Sequence, residues 1–204
     1  MRTLERELIN EAMEKSSSIE HPVLDLIKKR RSVRAFSSEP IEADKINSLF
    51  EATRWAPSSS NEQPWVYIYA TRNQSELWDK LFEPLNDSNK VWVKDAPLLI
   101  LSLARKTFSV YGSMNEHAMY DLGGANSFLS LQAVEFGMQV RQMAGFNSGK
   151  VVQNLNIPDT YEVGVYIAVG YPGDPSNLPD KLKQREIAPR ERFLQQEFVM
   201  NRTF

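Results

Sequence analysis

The sequence predicts a single α+β domain in which helices flank a central sheet. Segments with helical and with strand periodicity alternate along the 204 residues, a length that suits one domain. Residues 97–104 are almost entirely apolar, as expected for a strand that is covered on both faces. We therefore interpret residues 1–204 as one domain, with an N-terminal helix within 1–20 and an extended C-terminal tail from 171 to 204.

Apolar residues at helical spacing predict the helices in chain order. The predicted helices are 2–16, 22–30, 41–56, 75–82, 116–136 and 148–155. The second helix is expected to bury Val23, Leu26 and Ile27. The helix at 116–136 is the longest; small residues at its centre allow a close backbone approach, and Gly137 is expected to end it.

Alternating or continuous apolar residues predict the strands between these helices. The predicted strands are 65–70, 97–104, 139–144 and 163–169. Residues 86–89 are rich in turn formers and predict a turn, and residues 105–115 predict a loop that carries Phe108 and Tyr111.

Composition excludes several classes of function. The net charge is −2, so no global positive field attracts nucleic acid, and no cysteine is present for disulfides, thiolate catalysis or Cys-ligated metals. His21 and His117 are the only histidines and do not form a metal-binding or triad pattern. The acidic N-terminus does not resemble a signal peptide and no apolar run is long enough for a membrane span, so we expect a cytoplasmic protein that does not bind membranes.

An arginine cluster is the first candidate binding feature. Arg30, Arg31, Ser32 and Arg34 place three guanidiniums and a hydroxyl within five positions. Planar guanidiniums pair bidentately with phosphate oxygens, so this segment suits a phosphorylated ligand. A solvated charged turn is the alternative reading of the cluster taken alone.

Two further segments extend this hypothesis. The loop 57–64 is built from small hydroxyl and amide side chains and leads into Trp65, where an apolar strand begins; alone it is an ordinary turn. Ala144 and Gly145 are small, so their backbone N–H groups can approach a ligand closely. Arg190 and Arg192 could return from the tail to the same phosphate, or could simply be solvated.

The conjunction of these segments resembles the nitroreductase family of FMN-dependent oxidoreductases, over about residues 24–199. The matching blocks, in order, are Arg30-Arg-Ser-Val-Arg-Ala-Phe36, Ala56-Pro-Ser-Ser-Ser-Asn-Glu-Gln-Pro-Trp65, Asp95-Ala-Pro97, Tyr120-Asp-Leu-Gly123, Met143-Ala-Gly-Phe146 and Ala168-Val-Gly-Tyr171. The resemblance implies a nitroreductase-like fold with a central, mainly antiparallel sheet and an intertwined homodimer.

The resemblance also implies a set of FMN-binding residues. Arg30, Ser32 and Arg34 would hold the phosphate and ribityl chain, and Arg31 would contribute through its backbone or contact the flavin edge. Backbone N–H groups of the catalytic positions Ala144 and Gly145 would face flavin N5 and O4. The remaining cofactor-binding positions are Asn89, Met143, Arg190 and Arg192, together with Pro57, Ser58, Ser59 and Asn61 from the second subunit.

Three residues depart from the family pattern and could change the surroundings of the flavin. Trp92 occupies a position where some relatives have Lys near the flavin. Arg141 and Asn147 flank the Met143–Phe146 block where close relatives often carry His and Asp.

The implied activity is hydride transfer from NADH or NADPH to a nitroaromatic or quinone-type acceptor by a ping-pong mechanism. The loop 105–115 is expected to help shape the acceptor pocket. The alternatives are a specialised flavoenzyme of the same fold, such as a reductive dehalogenase or a dehydrogenase, and a flavin-binding protein without catalysis.

Overall fold

The computed structural model describes residues 19–203, which fold around one antiparallel sheet. The predicted helix at 2–16 lies outside the described residues. The helices are α1 (Asp25–Lys29), α2 (Ala43–Arg54), α3 (Ser75–Phe82), α4 (Asp87–Val93), α5 (Ala118–Glu135), α6 (Ser148–Leu155) and α7 (Asp180–Ile187). The strands are β1 (Trp65–Thr71), β2 (Leu98–Arg105), β3 (Gln139–Met143) and β4 (Tyr161–Gly170).

The four strands lie in the order β1-β2-β4-β3, and every neighbouring pair is antiparallel. The prediction of an α+β fold with a mainly antiparallel central sheet is therefore confirmed. β2 is buried along almost its whole length, as its continuous apolar sequence predicts for a strand covered on both faces. β1 and β3 form the two edges of the sheet.

Helices cover the two faces of the sheet because β2 directs alternate side chains to opposite sides. Leu98 and Ile100 pack with Leu49 of α2 and Leu129 of α5 on one face. The opposite face packs Leu99, Leu101 and Leu103 against a second cluster. That cluster includes Phe36, Trp78, Leu81, Trp92, Met143, Val151 and Tyr166.

The long helix α5 ends where the sequence predicts. Gly137 adopts a left-handed φ of +74°, and its N–H donates to Val134 O at 2.9 Å. The next N–H, of Met138, donates to Ala133 O at 2.8 Å, which completes the C-terminal hydrogen bonds and turns the chain directly into β3. The predicted helix at 148–155 is also confirmed as α6.

Three predictions of local structure are wrong. The predicted turn at 86–89 lies at the start of α4, because the Asn86 carbonyl accepts the N–H groups of Asn89 and Lys90 and so begins a helix. Val23 and Ile27 are exposed, since α1 spans only five residues. The tail from residue 171 is not wholly extended, because it contains α7, whose residues are mostly exposed.

Candidate functional site

The arginine cluster predicted from sequence lines a cleft of about 290 Å³ between residues 30–34, β3 and the tail. We call it the arginine cleft. Its lining residues are Arg30, Arg31, Ser32, Val33, Arg34, Arg141, Arg185, Glu186, Ala188, Pro189, Arg190 and Arg192. Seven of these twelve residues are arginines and one is a glutamate, so the cleft is strongly cationic and suits an anionic ligand.

Two arginines of the cleft, Arg31 and Arg190, link the tail to residues 28–31 through hydrogen bonds to backbone carbonyls. Arg31 is 7% exposed, and its Nη2 donates to the carbonyls of Glu186 and Ala188 at 3.1 and 3.2 Å. Arg190 donates in the reverse direction, from Nη1 to Arg30 O at 2.8 Å and from Nη2 to Lys28 O at 2.6 Å. The two side chains therefore fasten the tail to the segment before Ser32.

Other arginines use fewer of their donors within the protein. Arg30 Nη1 donates to Ser32 Oγ at 3.2 Å, and within residues 19–203 the Arg192 side chain donates only to the neighbouring Glu191 carbonyl, from Nη1 at 2.6 Å. Burial lowers the pKa of Arg30, and the positive charges of Arg192 and Arg31 lower it further. Arg190 shows the same pattern, since burial and then Arg31, Arg30 and Arg192 lower its pKa. The arginines thus repel one another, and an anion in the cleft would relieve that repulsion.

Glu186 supplies the negative charge of the cleft. Its side chain is 7% exposed, and its Oε1 accepts the backbone N–H groups of Arg34 and Ala35 at 2.7 and 3.1 Å. Its Oε2 lies 3.7 Å from Arg34 Nη1. Because Glu186 is in α7, this carboxylate ties the tail helix to the backbone beyond Ser32.

The catalytic candidates Ala144 and Gly145 follow directly after β3. Among residues 19–203, no hydrogen-bond acceptor engages the N–H of Gly145, which is half-buried. Its carbonyl accepts from Asn86 N at 3.0 Å and from Asn89 Nδ2 at 2.9 Å. Asn89 therefore holds the Gly145–Phe146 peptide, which directly follows the peptide that carries the Gly145 N–H. The Met143 side chain is 7% exposed and packs in the core.

The loop 57–64 has an unusual backbone. Ser60, Asn61 and Gln63 all adopt left-handed φ values, of +52°, +54° and +50°. Such conformations in non-glycine residues are costly and concentrate at functional sites. Several hydrogen bonds maintain the loop; among them, Ser59 N donates to the buried Asp121 carboxylate at 3.1 Å and Gln63 N donates to Ser58 Oγ at 3.0 Å.

Glu62 links this loop to the predicted acceptor loop at 105–115. Its carboxylate is 6% exposed and accepts from Arg105 Nη2 at 2.7 Å and from Ser109 N at 2.8 Å. Ser109 Oγ also donates to it, at 3.2 Å. Val110, Tyr111 and Met114 are exposed in the loop 105–115, which therefore presents an apolar surface beside the loop 57–64.

Within one chain, the loop 57–64 and the arginine cleft are at opposite edges of the sheet. The loop leads into β1, whereas Arg31 N donates to Gln139 Oε1 in β3 at 2.8 Å. Three strand spacings separate these edges, or about 14 Å. The register also places Gln139 at the end of the sheet that holds Thr71, away from Trp65. The structure does not bring the two predicted parts of the site together.

The three departures from the family pattern have different surroundings. Trp92 is 1% exposed and packs against Phe36, with ring centroids 6.1 Å apart. The Arg141 guanidinium lies 5.5 Å from the centroid of the Trp92 ring, so these two departures contact each other. Asn147 is the N-cap of α6 and accepts the N–H of Lys150 at 3.0 Å, which is a structural role.

Sequence reasoning missed Glu62, Arg185 and Glu186. None of them carries a local signal. Glu62 and Glu186 bind distant segments, and Arg185 reaches the cleft because α7 packs there. A second cavity, of about 400 Å³, lies between α2 and the end of β1, and no predicted site residue lines it. Within residues 19–203, no cluster of three acidic or histidine side chains could hold a metal ion, and no helix is long and apolar enough to cross a membrane.

Comparison with known proteins supports the resemblance seen in the sequence. A crystal structure described as an oxidoreductase containing FMN is 32% identical and superposes with a TM-score of 0.87, covering 94% of this chain and 96% of that chain. The Bacillus subtilis protein MhqN, provisionally named an NAD(P)H nitroreductase, is 28% identical over 188 residues, covering 76% of this chain and 90% of its own.

Some relatives have a different named activity. Iodotyrosine deiodinase of Thermotoga neapolitana is 29% identical over 174 residues, covering 74% of this chain and 89% of its own. Rat iodotyrosine deiodinase 1 is 24% identical over 191 residues, and the match spans 66% of its length. The family model described as the nitroreductase family matches residues 27–171, most of the chain. This protein belongs to the nitroreductase family.

Proposed function

We propose that the protein is an FMN-dependent oxidoreductase that uses NADH or NADPH to reduce nitroaromatic or quinone-type acceptors. The observation that carries this proposal is the placement of two different binding features along one strand. The arginine cleft contacts β3 at Gln139 and Arg141, and the unengaged N–H of Gly145 follows the other end of β3. Gly145 lies four positions after Arg141, about 13 Å along an extended chain, which suits a ligand with a phosphate at one end and a flat ring at the other.

At the phosphate end, we assign direct contacts to Arg30, Ser32, Arg34 and Arg192. Guanidinium groups that use few donors internally can offer them to phosphate oxygens. Arg31 and Arg190 are assigned a supporting role, because their donors already hold backbone carbonyls. Their positive charges still add to the field in the cleft.

At the other end, the backbone N–H groups of Ala144 and Gly145 are assigned to flavin N5 and O4. Asn89 would act indirectly, because it holds the Gly145 carbonyl in the following peptide and so restrains the backbone at Gly145. Bound FMN would supply the hydride-transfer chemistry that links NADH or NADPH to the acceptor in a ping-pong cycle. The protein residues fix the position of the ring and polarise it, and no side-chain acid is needed for that role.

We further propose that the active form is a homodimer in which Pro57, Ser58, Ser59 and Asn61 reach the flavin of the partner chain. The separation of the loop 57–64 from the arginine cleft within one chain supports this arrangement. A candidate dimer surface exists on α5, where Tyr120 and Phe128 are 83% and 41% exposed and Gly123 and Ser127 are also exposed. Small residues between exposed aromatic side chains allow two helices to pack closely.

Loading the purified protein with flavin tests the proposal. We expect a yellow protein that retains FMN, binds riboflavin more weakly because riboflavin lacks the phosphate, and bleaches when NADH or NADPH is added without oxygen. A protein that cannot be loaded with FMN would overturn every enzymatic reading. A yellow protein that neither nicotinamide reduces would exclude the NAD(P)H reductase and leave a flavoenzyme with another electron donor or a flavin-binding protein without catalysis.

The deiodinase relatives favour reductive dehalogenation as a second candidate activity. The test is the release of iodide from 3-iodotyrosine by the chemically reduced holoprotein, beside the reduction of a quinone by the same preparation. Iodide release faster than quinone reduction would support the dehalogenase, and quinone reduction alone would reject it.

A further inference from the structure

Arg141 is a cleft residue for which the family resemblance assigns no role. It lies on β3 and lines the arginine cleft between Ser32 and Glu186. Two groups fix its guanidinium: Nη1 donates to Ser32 O at 2.6 Å, and the buried Trp92 ring lies 5.5 Å away. Trp92 is itself held by Phe36, so the cation rests on a rigid aromatic surface.

Most hydrogen-bond donors of Arg141 are not used within the protein. A guanidinium carries five N–H donors, and within residues 19–203 Arg141 makes one hydrogen bond. Arg31 and Arg190, in the same cleft, each bind two backbone carbonyls. Arg141 therefore keeps donors available to a ligand while its position is fixed, and ordering such a residue on binding costs little entropy.

The electrostatic surroundings of Arg141 favour an anion. Burial and, to a smaller extent, the positive charge of Arg34 lower its pKa, and Glu186 partly opposes them; the net result is a pKa of about 10. The group stays charged at neutral pH, but its charged form is poorly compensated. A dianion in the cleft would provide the missing compensation.

We propose that Arg141 is a phosphate-binding residue of this protein, held in place for that role by the Trp92 ring and the Ser32 carbonyl. The inference rests on the proposed function insofar as the phosphate belongs to FMN. The chemistry requires only a phosphate group, so inorganic phosphate provides an independent probe.

The chain offers a matched control for a substitution at Arg141. The Arg72 guanidinium lies 4.5 Å from the centroid of the Trp78 ring, and Trp78 is 4% exposed, so Arg72 also rests on a buried tryptophan. Arg72 does not line the arginine cleft. Comparing Arg141→Gln with Arg72→Gln separates the loss of a cation over tryptophan from the loss of a phosphate ligand.

The test measures dissociation constants for FMN and riboflavin with the wild type and both variants. Arg141→Gln should weaken FMN binding by about 10- to 100-fold, leave riboflavin binding unchanged and so collapse the preference for FMN. Arg72→Gln should leave both constants unchanged. Where the wild type prefers FMN to riboflavin, equal weakening of both by Arg141→Gln, or no weakening, would overturn the proposal.

A second readout separates this inference from the proposed function. Inorganic phosphate should raise the melting temperature of the flavin-free wild type and of Arg72→Gln, but not that of Arg141→Gln. If phosphate raises the melting temperature of the wild type but not of Arg141→Gln, and the wild type shows no preference for FMN over riboflavin, the proposed function fails. The phosphate-binding role of Arg141 is then still supported. If phosphate stabilises Arg141→Gln as well as wild type, the role of Arg141 is overturned whatever the cofactor.

If Arg141→Gln does not fold, Arg141→Lys carries the test. Lysine keeps the charge but cannot reproduce the planar, bidentate donor arrangement. We expect its FMN dissociation constant to lie several-fold above that of the wild type, with riboflavin unaffected. An unchanged FMN constant would contradict the proposal.

Discussion

The arginine cleft and the loop 57–64 differ in how completely one chain builds them. The cleft is held from several directions, by Arg31, Arg190 and Glu186, which join the tail to the segment after α1. The loop is maintained by Asp121 and Glu62 but presents its left-handed Ser60 and Asn61 to solvent, where nothing in the described chain covers them. One chain builds the whole of the arginine cleft, whereas under the proposed function the loop 57–64 would complete a site only in a partner chain.

A site shared between two chains would explain why residues 30–34 and the loop 57–64, which both match the family pattern, lie far apart within one chain. Each chain would supply a phosphate site for its own flavin and a covering loop for the flavin of its partner. The strained backbone of the loop then has a reason, because the cost of left-handed residues is offset only when the loop contacts a ligand or a partner.

The largest expected effect follows from removing the partner. Phe128→Glu places a charge on the exposed face of α5 and should convert a dimer to a monomer, since an unpaired charge in an interface is strongly unfavourable. The sedimentation coefficient and the amount of FMN bound per chain should both fall. Val152→Glu, at a 42% exposed position of α6, is the matched control and should stay dimeric. A monomeric Phe128→Glu that holds FMN as tightly as the wild type would contradict the shared site.

Within the cleft, Arg31→Met should reduce the free energy of unfolding by about 3 kcal/mol, because the Glu186 and Ala188 carbonyls lose a charged donor. Chemical denaturation of the flavin-free protein measures this loss. Arg202→Met, at an exposed position, is the matched control and should be neutral. A neutral Arg31→Met would mean that the side chain does not hold the tail in place.

By contrast, Arg30→Ala should lower affinity and leave stability almost unchanged. The lost contact to phosphate corresponds to about 1.5–3 kcal/mol of FMN binding. Fluorescence titration with FMN and with riboflavin measures it, and riboflavin affinity should not change. Unchanged FMN affinity would remove Arg30 from the phosphate site and place it with Arg31 among the structural arginines.

The smallest effect is expected at the flavin end. A Cβ on residue 145 would lie 2.6 Å from Asn89 Nδ2, so Gly145→Ala should displace that amide and cost about 1 kcal/mol of stability through the lost hydrogen bond. Thermal unfolding of Gly145→Ala, Asn89→Ala and the double variant measures the coupling. Additive losses would show that Asn89 does not act on this peptide.

The sequence predicted the sheet and the segments of the site because both depend on local patterns. The apolar run of β2, the helical spacing of α5 and the composition of the loop 57–64 can be read from neighbouring residues. It did not predict α7, whose charged sequence buries no residue fully, or the start of α4 at Asn86. Composition favoured a turn at residues 86–89 and an extended tail after residue 171.

The sequence also could not predict which arginines bind the backbone and which keep donors for a ligand. Arg30 and Arg31 are adjacent and chemically identical, yet Arg31 donates to backbone carbonyls of the tail and Arg30 donates to a serine hydroxyl. That difference depends on which groups the tail places opposite each side chain. Glu186 was missed for the same reason, since its partners are about 150 residues away in sequence.

Complementation between two defective chains tests the central claim most directly. Arg30→Ala damages the phosphate grip and Asn61→Ala damages the covering loop, so each homodimer should retain little FMN at limiting concentration. A heterodimer of the two, purified with different tags, should contain one fully wild-type site, with Arg30 from one chain and Asn61 from the other. We predict one FMN per heterodimer bound with wild-type affinity; no tight site would contradict a flavin shared between two chains.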